Sequence, residues 1–247
     1  MILTVAFGKG GTGKTSTAAA LANYAKSLGK RVLCIDCDPQ ANLTFCLGGN
    51  PAMTGLYTVL TGETQATHAI QHTSQVDLIS AGRDLSAAEM MLSNVPGREF
   101  VLKEALQPLT GQYDLIVIDT QPALNMLLFN ALTASDSVLL PMQASSFAIM
   151  GLYQMRMTID QICKRTNPTL KVAGILLVRY KSRQTLAADL RTDIEAQAQE
   201  MGTKVFNTYI HEGVAVDQAQ ALQTSLFDYA PKSRPTQDYI ALYNEIF

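Results

Sequence analysis

GKGGTGKTS, residues 8–16, is the stretch that decides the fold of this chain. It fits the pattern G-x-x-x-x-G-K-[ST], in which glycine amides surround phosphate oxygens, the lysine reaches the outer phosphates and the hydroxyl ligates Mg²⁺. A mostly apolar run at residues 2–7 predicts a buried parallel strand, and residues 15–28 have the composition of a helix whose N-terminus faces the phosphates. A glycine-rich turn without a ligand fits this context poorly. The predicted phosphate-binding residues are Gly10, Gly11, Thr12, Gly13, Lys14, Thr15 and Ser16.

Two further predicted strands end in aspartate. Residues 31–36 form an apolar run that leads into Asp36 and Asp38, and residues 112–119 form another that ends in Asp119. Carboxylates at the carboxyl ends of parallel strands lie where open α/β sheets bind ligands, and such an aspartate commonly supports Mg²⁺ beside a phosphate loop. The alternative for each is a polar turn at the strand end, which the phosphate loop disfavours.

Strand and helix patterns alternate along the whole chain of 247 residues. This alternation favours one α/β domain over residues 1–247, with a mostly parallel twisted sheet flanked by helices on both faces. The remaining predicted strands are 76–80, 137–141, 170–178 and 204–209. The remaining predicted helices are 56–60, 98–109, 125–134, 150–165, 185–201 and 235–247. Helix 150–165 is rich in methionine, which favours packing but also suits contact with a partner.

The net charge of −2 and the pI near 5.9 give no overall basic signature for nucleic acid. Residues 156–234 carry more Lys and Arg than Asp and Glu, which is compatible with a local patch that faces DNA. No basic and apolar signal precedes the first strand, and no apolar run approaches the ~18–20 residues of a membrane span. We therefore expect a cytoplasmic protein that does not act on a membrane.

The cysteines and histidines give little indication of a metal site. Cys34 and Cys37 have C-x-x-C spacing without a second pair. Residues three apart on a strand point to opposite faces, so we interpret them as buried thiols in a reducing cytoplasm, not as a redox or zinc site. His68 and His72 could share a helix face, but the segment lacks the glutamate of H-E-x-x-H, which favours a solvated face over a metal site.

Lys9 lies inside the loop and completes the sequence KGGTGKT. On this motif the chain resembles the ParA/MinD/Soj family of deviant P-loop ATPases, whose signature is KGGxGK[ST], and the resemblance covers nearly the whole chain. It implies ATP and Mg²⁺ as ligands. It also implies that Lys9 reaches across a dimer interface to the partner's nucleotide, where it neutralises transition-state charge together with Lys14. The alternative for Lys9 is a solvated loop lysine.

The same resemblance gives roles to the aspartates. The segment DCDPQAN resembles the family motif D-x-D-P-Q-G-N, with Ala41 in place of the usual glycine. By this resemblance, Asp38 orients or activates the attacking water. Mg²⁺ would be bound by Thr15 and supported by Asp36 and Asp119, with Asp36 acting through water.

Two segments depart from the family pattern. Gln121 stands in the expected second switch, where relatives carry a proline. After the last strand, relatives carry proline and arginine where this chain has His211, Glu212 and Ala215. That segment flanks adenine in the family, so the substitutions weaken an adenine assignment and remove arginines that several relatives use on DNA. The candidate residues on the base side of the nucleotide are Arg179, Ile210 and His211.

The resemblance implies an ATP-dependent dimerising switch for plasmid or chromosome partitioning, which hydrolyses ATP to ADP and phosphate. The implied partners are a second copy of the chain, a ParB-like centromere-binding protein and non-specific DNA in the ATP state, which would associate the protein with the nucleoid. The candidate DNA-binding residues are Arg183, Lys204, Lys232 and Arg234.

Three other functions remain as alternatives. A ParA-like ATPase could position a protein cargo without partitioning DNA, an alternative that the missing arginine at Ala215 favours. A MinD-like membrane regulator is disfavoured because residues 238–247 contain no Lys or Arg for the basic flank of an amphipathic helix. An iron–sulfur reductase of the superfamily needs two interface cysteines beyond the third strand, where this chain has Cys163 alone.

Overall fold

A single eight-stranded sheet forms the centre of the computed structural model, which describes residues 1–180 and 185–247. The strands are β1 (Ile2–Val5), β2 (Val32–Cys37), β3 (Ile70–His72), β4 (Asp77–Ile79), β5 (Leu115–Thr120), β6 (Ser137–Met142), β7 (Lys171–Val178) and β8 (Val205–Ile210). Their order is β3-β4-β2-β5-β1-β6-β7-β8, and every neighbouring pair is parallel except β3 and β4. The sheet confirms the predicted fold class.

Helices cover both faces of the sheet. They are α1 (Lys14–Ser27), α2 (Asn42–Cys46), α3 (Leu56–Leu60), α4 (Leu85–Leu92), α5 (Val101–Leu106), α6 (Met126–Ala134), α7 (Ser146–Arg165), α8 (Thr185–Glu200), α9 (Val214–Ala221), α10 (Leu226–Tyr229) and α11 (Arg234–Ile246). Short 3₁₀ turns lie at Ala66–His68 and Gln107–Leu109.

The core explains why the strands are so apolar. Strands β2, β5 and β6 have six residues each, and every one of these residues is buried, as expected for parallel strands covered on both faces. Cys34 packs into the cluster that contains α1 and α11, whereas Cys37 packs into the cluster on the opposite face with α3 to α6. The sheet therefore separates the two thiols, which confirms that Cys34 and Cys37 are buried and point to opposite faces.

Several details differ from the sequence prediction. Edge strand β3 and its antiparallel pairing with β4 were not predicted. His68 belongs to a 3₁₀ turn and His72 to β3, so the helix face on which the two were placed does not exist. The helix predicted at 98–109 is divided into α5 and a 3₁₀ turn that contains Pro108.

Helix α7 begins earlier than predicted and has two apolar faces. Met155 is fully buried against the sheet, whereas Phe147, Met150, Tyr153 and Met157 are exposed along the other face. The methionines of α7 therefore include one that packs in the core, Met155, and two that are exposed, Met150 and Met157. Within residues 1–180 and 185–247, none of the helices combines the length and apolar character that crossing a membrane requires.

Candidate nucleotide-binding and active site

The phosphate loop connects the end of β1 to the first turn of α1, as the sequence predicted. Gly11 and Gly13 have φ angles of 72° and 75°, in the left-handed region that favours glycine. Gly13 is the N-cap of α1, and no side chain caps this end of the helix. The free backbone N–H groups and the positive end of the helix dipole therefore face the loop, which is the arrangement that binds phosphate.

The two loop lysines lie in different environments. Lys14 is only 7% exposed, and its Nζ donates to the carbonyl oxygen of Lys9 at 3.2 Å. Burial lowers the pKa of Lys14, and the nearby carboxylates of Asp119 and Asp38 oppose that shift. The Lys9 side chain is exposed, with Nζ 5.7 Å from the centre of the Phe147 ring. The fold thus fixes Lys14 inside the site and leaves Lys9 outside it.

Asp36 and Asp119 are brought together because β2 and β5 are neighbours. The two residues are paired in the strand register, and both are fully buried. Asp36 accepts hydrogen bonds from the Thr44 N–H and hydroxyl, both at 2.8 Å, and from the Asp38 N–H at 3.0 Å. Burial nevertheless raises the pKa of Asp36 to about 6, since its hydrogen bonds offset only part of the desolvation.

Asp119 has the geometry of a group that supports a bound cation. Its Oδ2 accepts the Thr15 hydroxyl at 2.6 Å, whereas Oδ1 is buried and has no hydrogen-bond partner among the described residues. Burial, with Asp36 nearby, raises the pKa of Asp119 well above its usual range. A carboxylate oxygen left without a partner beside a hydroxyl fits the oxygen donors that Mg²⁺ prefers.

The magnesium site predicted from the sequence is therefore compatible with the side chains present. No cluster of three His, Cys, Asp or Glu residues suited to a metal is found in the described part of the chain. An ion here would depend on the Thr15 hydroxyl, on Asp119 and on oxygens from water and phosphate, which is the usual environment of Mg²⁺ at a phosphate loop.

Asp38 lines the same cleft as the loop. It is 7% exposed, and its Oδ1 accepts the Gln40 N–H at 2.9 Å. Together with loop residues 10–16 it lines a cleft of about 580 Å³, which also includes Arg179 and Gln220. The volume is typical of a ligand site, and Asp38 is positioned at its wall.

A second, smaller cleft adjoins the first on the far side of Gly13 and Ser16. It has a volume of about 310 Å³, and Arg179, Ile210 and His211 contribute to its wall, so the three candidate base-side residues do lie together. Arg179 has a φ of 50° and borders both clefts. Backbone strain of this kind is found preferentially at functional sites.

Sequence reasoning missed several residues of the site, all distant in the chain from the residues they contact. Gln143 Nε2 donates to the Gly11 carbonyl at 3.0 Å, and Gln220 Nε2 donates to the Ser16 hydroxyl at 3.0 Å. Asp238 accepts the His211 ring Nδ1–H at 2.8 Å. Glutamines in helices and loops have no local signal that would have revealed these contacts.

The predicted DNA-binding residues do not form one cluster. Lys204 Nζ lies 3.8 Å from Glu245, near the end of α11, whereas Arg234 Nε lies 3.3 Å from Asp238, near its start. At 1.5 Å per residue, about 16 Å of helix separates Arg234 from Glu245. Lys232 is exposed close to Arg234, and Arg183 lies outside the described residues.

Comparison with known proteins places this site in a family. A model of the AAA_31 family, described as an AAA domain, matches residues 1–172. The chromosome partitioning protein ParA of Caulobacter vibrioides is 36% identical over 251 residues, which cover 99% of this chain and 93% of that protein. The chromosome-partitioning ATPase Soj of Thermus thermophilus is 36% identical over 238 residues, covering 96% and 92%.

One similar solved structure carries a nucleotide. It is described as cobyrinic acid a,c-diamide synthase from Mycobacterium smegmatis with bound ADP and magnesium. It is 34% identical to this chain, with a TM-score of 0.85 and coverage of 98% of this chain and 92% of that one.

Proposed function

The chain belongs to the AAA_31 family and to the ParA/MinD superfamily of ATPases, and from this premise we propose that it is an ATP-driven partitioning switch. In the proposed cycle, ATP closes two copies of the chain face to face. The closed dimer binds DNA without sequence specificity, and a centromere-binding protein of the ParB type stimulates hydrolysis and releases it. The cargo would be a plasmid or a chromosome, and the protein would act on the nucleoid.

The observation that carries the proposal is the difference in environment between the two loop lysines, since Lys14 is buried and Lys9 is exposed. Lys14 is buried within its own loop, where it can contact only the nucleotide of its own chain. Lys9 follows Gly8 in the same loop, yet its ammonium lies over Phe147 on the surface. An exposed cation beside a triphosphate site is available to the nucleotide of a second copy, in the way that an arginine finger is supplied in trans.

The residues of the site suit hydrolysis. Lys14 and the loop amides would stabilise negative charge on the phosphates, and Asp38, at the wall of the cleft, would orient the attacking water and accept its proton. When bound at Thr15 and Asp119, Mg²⁺ would neutralise phosphate charge. Asp36, which accepts the Asp38 N–H, would hold the Asp38 backbone in place.

Dimerisation is tested by measuring molar mass by light scattering without nucleotide and with ADP, ATP or a non-hydrolysable analogue. We expect a dimer only with the triphosphate. Lys9→Ala should keep ATP binding but remain monomeric, whereas Lys14→Ala should lose nucleotide binding. Lys30→Ala removes an exposed lysine from the turn after α1 and serves as the matched control. An ATP-dependent dimer formed equally well by Lys9→Ala would contradict the role of Lys9.

The role of Asp38 is tested separately. Asp38→Ala should bind ATP, accumulate as a dimer and fail to hydrolyse ATP, because the group that orients water is removed. A variant that hydrolyses ATP at the wild-type rate would exclude this role.

DNA binding is tested with a non-specific duplex at two salt concentrations in the same nucleotide states. Binding that needs the triphosphate and weakens steeply with salt would support a DNA track, because each neutralised phosphate releases counterions. Binding that does not change with salt would contradict a phosphate-directed patch.

Positioning of a protein cargo is the second candidate function. The scattered basic residues favour it, since Lys204 and Arg234 each lie beside a carboxylate at opposite ends of α11. The exposed apolar face of α7 could serve such a partner. An ATP-dependent dimer that fails to bind DNA in every nucleotide state would favour this candidate over DNA partition. A membrane-bound role finds no support in α11, whose apolar residues Tyr239, Leu242 and Tyr243 are buried in the core.

A further inference from the structure

His211 is held in one orientation by a buried carboxylate. Asp238 is 8% exposed at its side chain, and its Oδ2 accepts both the His211 backbone N–H at 2.9 Å and the ring Nδ1–H at 2.8 Å. The His211 ring also packs against the Tyr209 ring, and the two ring centroids are 4.7 Å apart. The imidazole ring is therefore oriented by two contacts, with Asp238 and with Tyr209, although the side chain is 31% exposed in the cleft that it lines.

The orientation also fixes the tautomer. A carboxylate can only accept, so Nδ1 carries the proton in the 2.8 Å contact with Asp238. Arg234 Nε lies 3.3 Å from Asp238 Oδ1 and 3.4 Å from His211 Nδ1, and we assign its hydrogen bond to the carboxylate because Nδ1 has no lone pair to offer. A neutral imidazole in this state presents Nε2 as an acceptor on the edge turned away from Asp238.

The cleft beside His211 is where the base of the nucleotide would lie, an assignment that rests on the proposed ATP site. The reacting end of the triphosphate is defined by Asp38 and by Thr15 with Asp119. The smaller cleft meets the loop at Gly13 and Ser16, and neither Asp38 nor Asp119 lines it. A nucleotide that extends away from the reacting phosphate past Ser16 would enter this cleft with its base.

We propose that His211, positioned by Asp238, selects adenine over guanine by accepting a hydrogen bond from the exocyclic amine at Nε2. Adenine carries an N–H donor on its sixth ring position, whereas guanine carries an acceptor oxygen there. An acceptor on the protein therefore pairs with adenine and opposes guanine. His211 acts as a specificity residue that contacts the base, and Asp238 is a positioning residue.

The test compares three triphosphates that differ at this position: ATP, purine riboside triphosphate without the amine, and GTP. Equilibrium dissociation constants are measured on the full chain, without DNA and below the concentration at which it dimerises. For the wild type, removal of the amine should weaken binding about 3–10-fold, as expected for one hydrogen bond, and GTP should bind more weakly still.

His211→Phe keeps a ring against Tyr209 but removes the acceptor. It should bind ATP and purine riboside triphosphate equally, with only the ATP affinity lowered. His72→Phe is the matched control, because His72 Nδ1 also lies 2.7 Å from an aspartate, Asp77, but on edge strand β3. The control should keep the wild-type order of affinities.

Asp238→Asn tests the positioning role. The asparagine amide can donate to Nδ1, which allows the tautomer that carries a proton on Nε2, so the preference for ATP over GTP should shrink or reverse. If this variant does not fold, His211→Phe decides the question alone. An equal loss of affinity for all three triphosphates in His211→Phe, or an unchanged ATP preference, would overturn the proposal. Either result leaves the partition cycle untouched, because neither dimer formation nor DNA enters the measurement.

Discussion

Ala41 is a strained residue that glycine should relieve. It has φ 55° and ψ 33°, in the left-handed region, at the N-terminus of α2. A side chain in this region costs about 1–2 kcal/mol, and glycine in its place would lose roughly 0.5–1 kcal/mol through the greater freedom of the unfolded chain. We therefore expect Ala41→Gly to raise the free energy of unfolding by about 0.5–1 kcal/mol.

The assay is reversible urea unfolding, followed by circular dichroism, with a thermal melt in parallel. For a chain of this size the expected rise in the melting temperature is about 1–4 °C. Two variants bracket the prediction. Gln223→Gly changes an exposed residue that also has a positive φ, 52°, and should stabilise by a similar amount. Ala196→Gly lies in the middle of α8 and should destabilise by about 1 kcal/mol.

A loss of stability in Ala41→Gly as large as that in Ala196→Gly would contradict the predicted relief of strain at Ala41. In that case the loss of chain entropy would outweigh the relief of backbone strain. A stabilised Ala41→Gly with an unchanged Gln223→Gly would instead place the strain in the turn that follows Asp38, next to the nucleotide site.

Three further predictions concern buried polar groups. The folded-state pKa of Asp36, about 6, lies above its unfolded value, so its stabilising contribution is complete below about pH 4 and is lost as the pH rises through 6. Without nucleotide, thermal stability should therefore fall over this range, and Asp36→Asn should reduce the decline because it removes the titrating carboxyl group. Cys34 and Cys37 are buried with raised thiol pKa values, so a thiol reagent should modify them only at the rate of unfolding. Gln75→Leu should lower the free energy of unfolding, measured by urea unfolding, by roughly 2–4 kcal/mol, because the Gln75 Nε2 donates to the backbone carbonyls of Cys46 and Gln223.

The parts of the fold that the sequence predicted correctly depend on local patterns. The apolar run 2–7, the glycines of the loop at residues 8–16 and the composition of residues 15–28 predicted a strand, a turn and a helix, and the structure has all three. Asp36 and Asp119 each end an apolar run, and parallel pairing alone was enough to bring them together. Burial of β2, β5 and β6 on both faces produced the continuous apolar runs from which these strands were predicted.

The parts that were missed depend on contacts between distant residues. Strand β3 has only three residues, which is too short for an apolar run that would predict a strand. It is defined by its antiparallel pairing with β4. Asp238 lies 27 residues from His211, on a helix whose sequence gives no sign of a partner at the end of β8. The basic residues 156–234 formed a segment in sequence, but the fold places Lys204 and Arg234 at opposite ends of α11.

The balance of charge in the phosphate cleft connects these observations to the proposed dimer. Of the described residues that line the cleft, Lys14 and Arg179 are the cations, whereas Asp38 lines it and Asp36 and Asp119 are buried behind it. A triphosphate would add several negative charges, which Mg²⁺ offsets only in part. The described residues of one chain thus provide few positive charges where hydrolysis would develop more negative charge. Lys9, exposed at the mouth of the same loop, is the cation that a second copy could supply, and this deficit gives a physical reason for hydrolysis to depend on dimerisation.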